Sequence, residues 1–249
     1  MQGATGFGDI LALVRDLRRR CDFDRALTLE TLRPYLREEL AELEDAQDHG
    51  DEARIAAELG DLLLHCAFQL VLAEERGAFD LAQVSSGLIA KMRSRHPHLY
   101  ADGPKPDWER HKAEERRREA QRRGEATGAL GHLPPALPEL ERAFRYQERA
   151  AAVGFDWPDV AGALEKLAEE VEEAREHPAA EIGDVLFAAV NVARKAGIHP
   201  TAALRRATDK FTARFRAVED LAARRGIDVA TAGLATLDAL WDETKADHP

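Results

Sequence analysis

Apolar and polar residues recur along this chain with helical rather than strand period. Leu36, Leu40 and Leu43 fall at i, i+4 and i+7, the spacing of one helix face. Thr31 is predicted to cap that helix, with Pro34 tolerated in its first turn. At about 100° per residue, Glu39 and Glu42 lie along one border of the stripe, while Glu38 points nearly opposite. The second half repeats the placement: Leu167, Val171 and Ala174 form the stripe, Glu170 and Glu173 its border, and Glu169 its outer face. A solvated glutamate face describes Glu38, Glu169 and Glu172 better than the border residues. The following helix of each half, Leu59 to Ala73 and Ile182 to Ala193, is apolar almost all round, which predicts enclosure by other helices. Asp61 and Asp184 sit inside those runs, with Glu58 and Glu181 at i−3. A carboxylate enclosed in apolar surroundings must be paired, hydrogen-bonded or metal-bound. Two such aspartates, each with its glutamate, are expected to coordinate a cation.

A third helix is predicted to begin with a capping box, Asp80 and Gln83, and to stop before Pro97; its counterpart starts after Pro200. Lys91 with Arg95, and Lys210 with Arg214, are i, i+4 pairs that present two cations on one face. A single pair of this kind reads as solvated surface. Recurring after the acidic elements, the two pairs read as phosphate clamps. Within each repeated element the offset between the halves is constant, and it changes only where loops absorb insertions.

This duplication predicts a domain over 1–101, a connector over 102–138 and a second domain over 139–249. Turn formers bound the connector at Asp102-Gly-Pro-Lys-Pro106 and Leu133-Pro-Pro-Ala-Leu-Pro138. Between them Trp108 to Arg123 reads as a charged helix packed through Trp108, followed by a flexible segment over Gly124 to Gly131. Its interleaved glutamates argue against a nucleic-acid-binding arm.

Composition supports an all-α chain: of 249 residues, 45% are hydrophobic and 33% charged, with few aromatics and much Ala, Leu, Glu and Arg. A net charge of −11 argues against stable nucleic-acid binding, so an anionic substrate would need metal ions between it and the protein. The run Ile10 to Val14 is too short for a signal-peptide core, and no apolar run is read as long enough to span a bilayer. A cytoplasmic protein without membrane attachment is therefore expected. Cys21 and Cys66 lack metal-site spacing and read as reduced thiols.

With these elements in order, the chain resembles the tandem-domain MazG nucleoside triphosphate pyrophosphohydrolases of the all-alpha NTP pyrophosphatase superfamily. The resemblance also includes Leu32-Arg-Pro-Tyr-Leu36, Arg95-His-Pro-His98, Trp108-Glu-Arg-His-Lys112, Val153-Gly-Phe-Asp-Trp157, Phe187-Ala-Ala-Val-Asn-Val-Ala-Arg194 and Lys210-Phe-Thr-Ala-Arg-Phe215. It implies two tandem helical-bundle domains, each pairing with its copy in another subunit as a dimer or higher homo-oligomer. It further implies hydrolysis of nucleoside triphosphates to monophosphate and pyrophosphate, with Mg2+, or Mn2+ as a substitute, on the acidic quartet. The second domain is the one such enzymes use for catalysis. By motif position the metal ligands there are Glu170, Glu173, Glu181 and Asp184, with Lys210 and Arg214 on the triphosphate. The first-domain matches are Glu39, Glu42, Glu58 and Asp61, with Lys91 and Arg95. Two positions depart from the family pattern: Arg20-Cys-Asp-Phe-Asp24 stands where Gly-Cys-Pro-Trp-Asp is common, and Thr208 replaces an Asn.

The residue chemistry agrees. Cleavage between the α and β phosphates needs an activated water, charge relief at the reacting phosphoryl group and a stabilised pyrophosphate leaving group. Carboxylate-bound Mg2+ serves the first two, and Lys210 and Arg214 the third. Glu169 is a weak candidate for orienting the water because it points outward. A di-iron bundle expects Glu-x-x-His, where this chain has Asp. A His-Asp phosphohydrolase finds only Asp48-His49, in reverse order. The non-enzyme alternative is a regulatory scaffold that binds divalent cations or nucleotide. His65 lies four residues after Asp61, but Ala188 occupies the other copy, so it reads as a satisfied core histidine. Phe155 and Trp157 read equally as base-stacking groups and as a staple at the start of a helix.

Overall fold

The computed structural model describes residues 6–101, 103–105, 108–124 and 128–245. Among these residues every regular element is an α-helix, so the all-α expectation holds. The chain divides into two compact units, Met1–Pro106 and Asp107–Pro249.

The first unit contains α1 (Phe7–Arg20), α2 (Asp22–Ala26), α3 (Arg33–His49), α4 (Glu52–Glu75), α5 (Leu81–Arg95) and α6 (Pro97–Tyr100). α4 is its central helix. α1 lays Leu11 and Val14 against Ala67, Phe68 and Val71 of α4, forming a core completed by Leu32, Leu70 and Leu72. Arg15 and Arg18 reach Glu74 and Glu75 at 2.8 Å, fixing the far end of α1 on α4. α3 ends at Gly50, whose φ of +65° lies in the left-handed region that glycine enters without strain. Asp51 then caps α4, accepting from the backbone N–H groups of Ala53 and Arg54. This two-residue reversal is what lays α3 antiparallel along α4.

α4 also corrects the sequence reading that no segment could span a bilayer. It is long and apolar enough to do so by length and composition alone, with a mean hydropathy of 1.6 over 18 residues. The apolar run is longer than it looked because the Glu58 and Asp61 end leads directly into the largely buried stretch His65–Ala73, of which Cys66 is exposed. Here that stretch is the core of the unit, covered by α1.

The Thr31 cap expected for α3 is absent. α3 begins at Arg33 with Leu32 at the N-cap and no side-chain cap bond, although Pro34 does lie in the first turn. Thr31 and Thr28 instead accept each other's backbone N–H, at 2.8 and 3.2 Å, so the threonine side chain is consumed by a local turn. The capping box at Asp80 and Gln83 forms as expected, and α5 ends at Arg95 ahead of Pro97.

The second unit contains α7 (Trp108–Arg123), α8 (Glu139–Ala151), α9 (Val160–Glu176), α10 (Pro178–Lys195), α11 (Pro200–Arg224) and α12 (Leu234–Lys245). The expected charged connector helix is α7; the Trp108 side chain and residues 125–127 of the segment after it lie outside the described residues. α9 and α10 form its tightest hairpin, turning at His177 with Pro178 in the first turn of α10. α11 and α12 close the far end around Val218, Ala222 and Leu240.

One sequence inference fails in both units. The N-terminal halves of α4 and α10 are not enclosed: Leu59, Leu63, Ile182 and Leu186 are exposed, as are Asp61 and Asp184. Periodicity registers that a face is apolar, but not whether the same chain supplies its cover.

Candidate active site

Each unit carries a helical hairpin that gathers acids. On α3 and α4, Glu39, Glu58 and Asp61 each offer a carboxylate oxygen, all within 4.8 Å of one another. On α9 and α10 the same holds for Glu170, Glu173 and Glu181. Such proximity follows from i, i+3 pairs on two facing helices. The sequence reading placed four acids in each cluster, and the structure brings three together. Glu42 lies close enough to Glu58 to repel it, outside the tight group. Asp184 is exposed, one turn beyond Glu181, and does not converge.

Crowding leaves an electrostatic signature. Partial burial, then repulsion from Asp61, Glu42 and Glu58, pushes the Glu39 carboxyl above its ordinary range. Glu58 rises in the same direction through partial loss of water and repulsion from Glu42 and Asp61, against the pull of Arg54. Glu173 is exposed, yet the helix wall beside it and the charge of Glu170 raise it too. Like charges at this spacing favour a cation, and the all-oxygen donor set fits a hard divalent ion such as Mg2+ or Mn2+.

The two clusters differ. In the second, Lys166 donates to both Glu169 and Glu170 at 2.8 Å, and Glu170 is itself buried. These bonds push Lys166 further toward its charged form. Glu169 is thus an exposed ion-pair partner rather than a free base beside the cluster. In the first, His65 is buried with Nε2 3.9 Å from Glu39, and its Nδ1 has no hydrogen-bond partner among the described residues. That corrects the reading of a satisfied core histidine. Burial lowers its pKa, with Asp61 opposing.

Lys91 and Lys210 are exposed, and Arg95 is half-buried. Arg214 stacks over Trp241 with its guanidinium carbon 5.9 Å from the ring centroid, and Phe211 meets the same indole at 5.4 Å. Sequence reasoning missed Trp241 because it has no counterpart in the first half. Phe155 is 83% exposed and Trp157 43%. The indole of Trp157 lies against Gly162 in the first turn of α9, where an added Cβ would come within 2.8 Å of the ring. Trp157 therefore does staple the helix start. Both aromatic rings also line a cavity of about 640 Å³ in the second unit.

The MazG nucleotide pyrophosphohydrolase domain family matches residues 27–100, the segment that holds the first acidic cluster. A Thermotoga maritima protein named nucleoside triphosphate pyrophosphohydrolase/pyrophosphatase MazG is 37% identical, over 96% of this chain and 95% of its own length. The Escherichia coli K12 nucleoside triphosphate pyrophosphohydrolase is 36% identical over 95% of this chain and 94% of its own. An uncharacterized Bacillus subtilis protein is 37% identical over 96% of this chain, but only 51% of its own length takes part. Similarity at this level along nearly the whole sequence, together with the paired acidic hairpins, shows that the chain belongs to the MazG nucleoside triphosphate pyrophosphohydrolase family.

Proposed function

We propose that the protein hydrolyses ribo- and deoxyribonucleoside triphosphates to the monophosphate and pyrophosphate, clearing unwanted nucleotides from the cytoplasmic pool. The observation that carries this reading is the convergence of Glu170, Glu173 and Glu181 on α9 and α10. These three carboxylates would hold Mg2+, with Asp184 joining by rotation of its exposed side chain. When bound, Mg2+ supplies charge neutralisation for the phosphates and a water of lowered pKa. Lys166 orients Glu170 through their ion pair. Lys210 and Arg214 would draw the leaving pyrophosphate toward α11, with Trp241 holding the Arg214 guanidinium in place. The second unit is the seat of catalysis in this reading: α10, which carries Glu181, also lines an aromatic-walled cavity large enough for a nucleoside.

A regulatory role for the first unit has one observation in its favour. Arg20-Cys-Asp-Phe-Asp24 leaves Phe23 65% exposed and commits Arg18 to Glu75 and to the carbonyls of Asp24 and Leu27. The Glu39, Glu58 and Asp61 cluster there would bind a divalent cation without turning over substrate, and Lys91 and Arg95 would take a phosphate.

Incubation with each NTP and Mg2+, followed by separation of the nucleotides, tests the assignment. Monophosphate and pyrophosphate are expected in equal amounts. Diphosphate with orthophosphate would place the cut at the wrong bond.

We also propose self-association as a dimer or higher assembly. α5 has no buried residue and presents Val84, Leu88, Ile89 and Met92, all exposed, and Leu59 and Leu63 of α4 are exposed as well. A second copy would cover these apolar helix faces, since isolated monomers rarely leave large apolar patches open. Light scattering is expected to give at least twice the 27.6 kDa chain mass, and Ile89→Glu to lower it. A monomeric parent protein at micromolar concentration would contradict this.

A further inference from the structure

The two acidic groups differ in a residue that neither the duplication nor the phosphate chemistry accounts for. His65 lies four residues after Asp61 on α4, so the two side chains leave the same helix face one turn apart. The matching position on α10 is Ala188. Only the first unit therefore brings a nitrogen donor to this face.

His65 is 8% exposed. Its Nδ1 is closed off from solvent and has no hydrogen-bond partner among the described residues. Nε2 faces Glu39, 3.9 Å from Oε1, which is beyond hydrogen-bond reach. In a neutral imidazole one nitrogen donates and the other accepts, so both needs go unmet whichever nitrogen holds the proton. A buried polar group left in this state is costly. Glu39 does not relieve it at that distance, but an ion held between the two can. Two donors each about 2.1 Å from one metal stand roughly 3.0 Å apart at a right angle and about 4.2 Å apart when opposed. The observed gap falls inside that range.

The ring is also braced. Tyr35 stacks on it with centroids 6.5 Å apart and planes 25° from parallel, and the tyrosine sits one turn before Glu39 on α3. Imidazole and carboxylate are thus presented to each other by the same pair of helices.

We infer that the first unit holds a mixed nitrogen and oxygen metal centre, in which His65 Nε2 joins Glu39 and Asp61 with Glu58 beside them, and that it takes a transition-metal dication such as Co2+, Ni2+ or Zn2+ in preference to Mg2+. The inference rests on the reading of the first acidic cluster as a cation site and adds the identity of the ion. Imidazole suits the later first-row metals, whereas Mg2+ asks for oxygen ligands and keeps its waters. Glu170, Glu173 and Glu181 offer oxygen alone. The two halves of one chain would then sort cations by a single side chain.

Titration calorimetry of the full-length chain with Co2+ and with Mg2+ tests this, in a Glu170→Ala background that silences the second cluster. The remaining site is expected to bind Co2+ about 10-fold more tightly than Mg2+, or better. His65→Gln keeps bulk and polarity but loses the imidazole. It is expected to weaken Co2+ binding by about 10- to 100-fold, no less than the loss of an outer-shell partner costs, and to change Mg2+ binding far less. Proton NMR of the Co2+-loaded chain reads the ligand without any change at His65: hyperfine-shifted imidazole resonances are expected, and His65→Gln is expected to abolish them. Unchanged Co2+ affinity in a folded His65→Gln protein overturns the inference, as does a Co2+-loaded parent protein without a shifted imidazole resonance. Glu39→Ala separates the two readings. Should Co2+ and Mg2+ both bind as before without Glu39, the first cluster is not a cation site and the underlying reading fails. Should both weaken while His65→Gln alters neither, the ion is held through oxygen alone and only the role of His65 fails.

Discussion

Glu170→Ala is expected to lower kcat/KM for Mg2+-dependent pyrophosphate release by on the order of 10³-fold, the loss of several kcal/mol of transition-state stabilisation. Glu170 is the buried member of its cluster, while Glu173 is exposed and Glu181 half-buried. Its side chain cannot be replaced by solvent without leaving a gap between α9 and α10, and Glu169 would then be the sole carboxylate on Lys166. An exposed ligand such as Glu173 is expected to matter less, because water can take its place on the ion. The matching substitution in the first unit, Glu39→Ala, is expected to change turnover by less than about threefold, the size of an ordinary peripheral effect. Single-turnover assays of both variants, with pyrophosphate quantified, separate the outcomes. Full activity in Glu170→Ala together with its loss in Glu39→Ala would move catalysis to the first unit.

The contrast between the two acidic groups also shows what the sequence could and could not convey. The i, i+3 carboxylate pairs were legible because helix geometry converts spacing directly into shared faces; so were the capping box at Asp80, the charged helix after Trp108 and the reversal at His177 and Pro178. Convergence was less so. Whether a third or a fourth acid reaches a common point depends on side-chain direction and on where one helix stops, and neither is set by spacing. Glu42 and Asp184 fall just outside for that reason. Thr31 was misread because a nearby Thr28 offered its hydroxyl a closer partner than the helix did. Asp61 and Asp184 were expected to be enclosed, since an all-round apolar run usually belongs to a buried helix. Here the enclosure is absent from the single chain, and the apolar positions around the acids remain open. Trp241 left no trace in the pattern, because it has no repeat partner.

Divalent cations are expected to stabilise the protein, and to do so more at pH 7.5 than at pH 5. Glu39, Glu58 and Glu173 have folded-state pKa values raised above those of the unfolded chain. A group of that kind binds more protons folded than unfolded, so without metal its contribution to stability falls as pH rises. The fall begins at the ordinary glutamate pKa and is complete once pH has passed the raised folded values. Below that window the clusters are partly protonated and repulsion is slight. Above it they are fully charged and self-repelling unless an ion sits between them. Mg2+ must displace protons at the lower pH and meets no such competition at the higher, so the metal-induced shift grows with pH. At a hundred times the dissociation constant, linkage gives a rise in Tm of about 5 °C or more for a unit of this size. Thermal melts of the EDTA-treated protein across pH 4.5 to 8, with and without Mg2+, measure both halves of the prediction. Glu170→Ala combined with Glu39→Ala is expected to remove the Mg2+ shift. It should also flatten the metal-free pH dependence, because each substitution deletes one of the mutually repelling charges. A Mg2+ shift that stays constant with pH, or one that survives in the double variant, would place the bound cations somewhere other than these carboxylates.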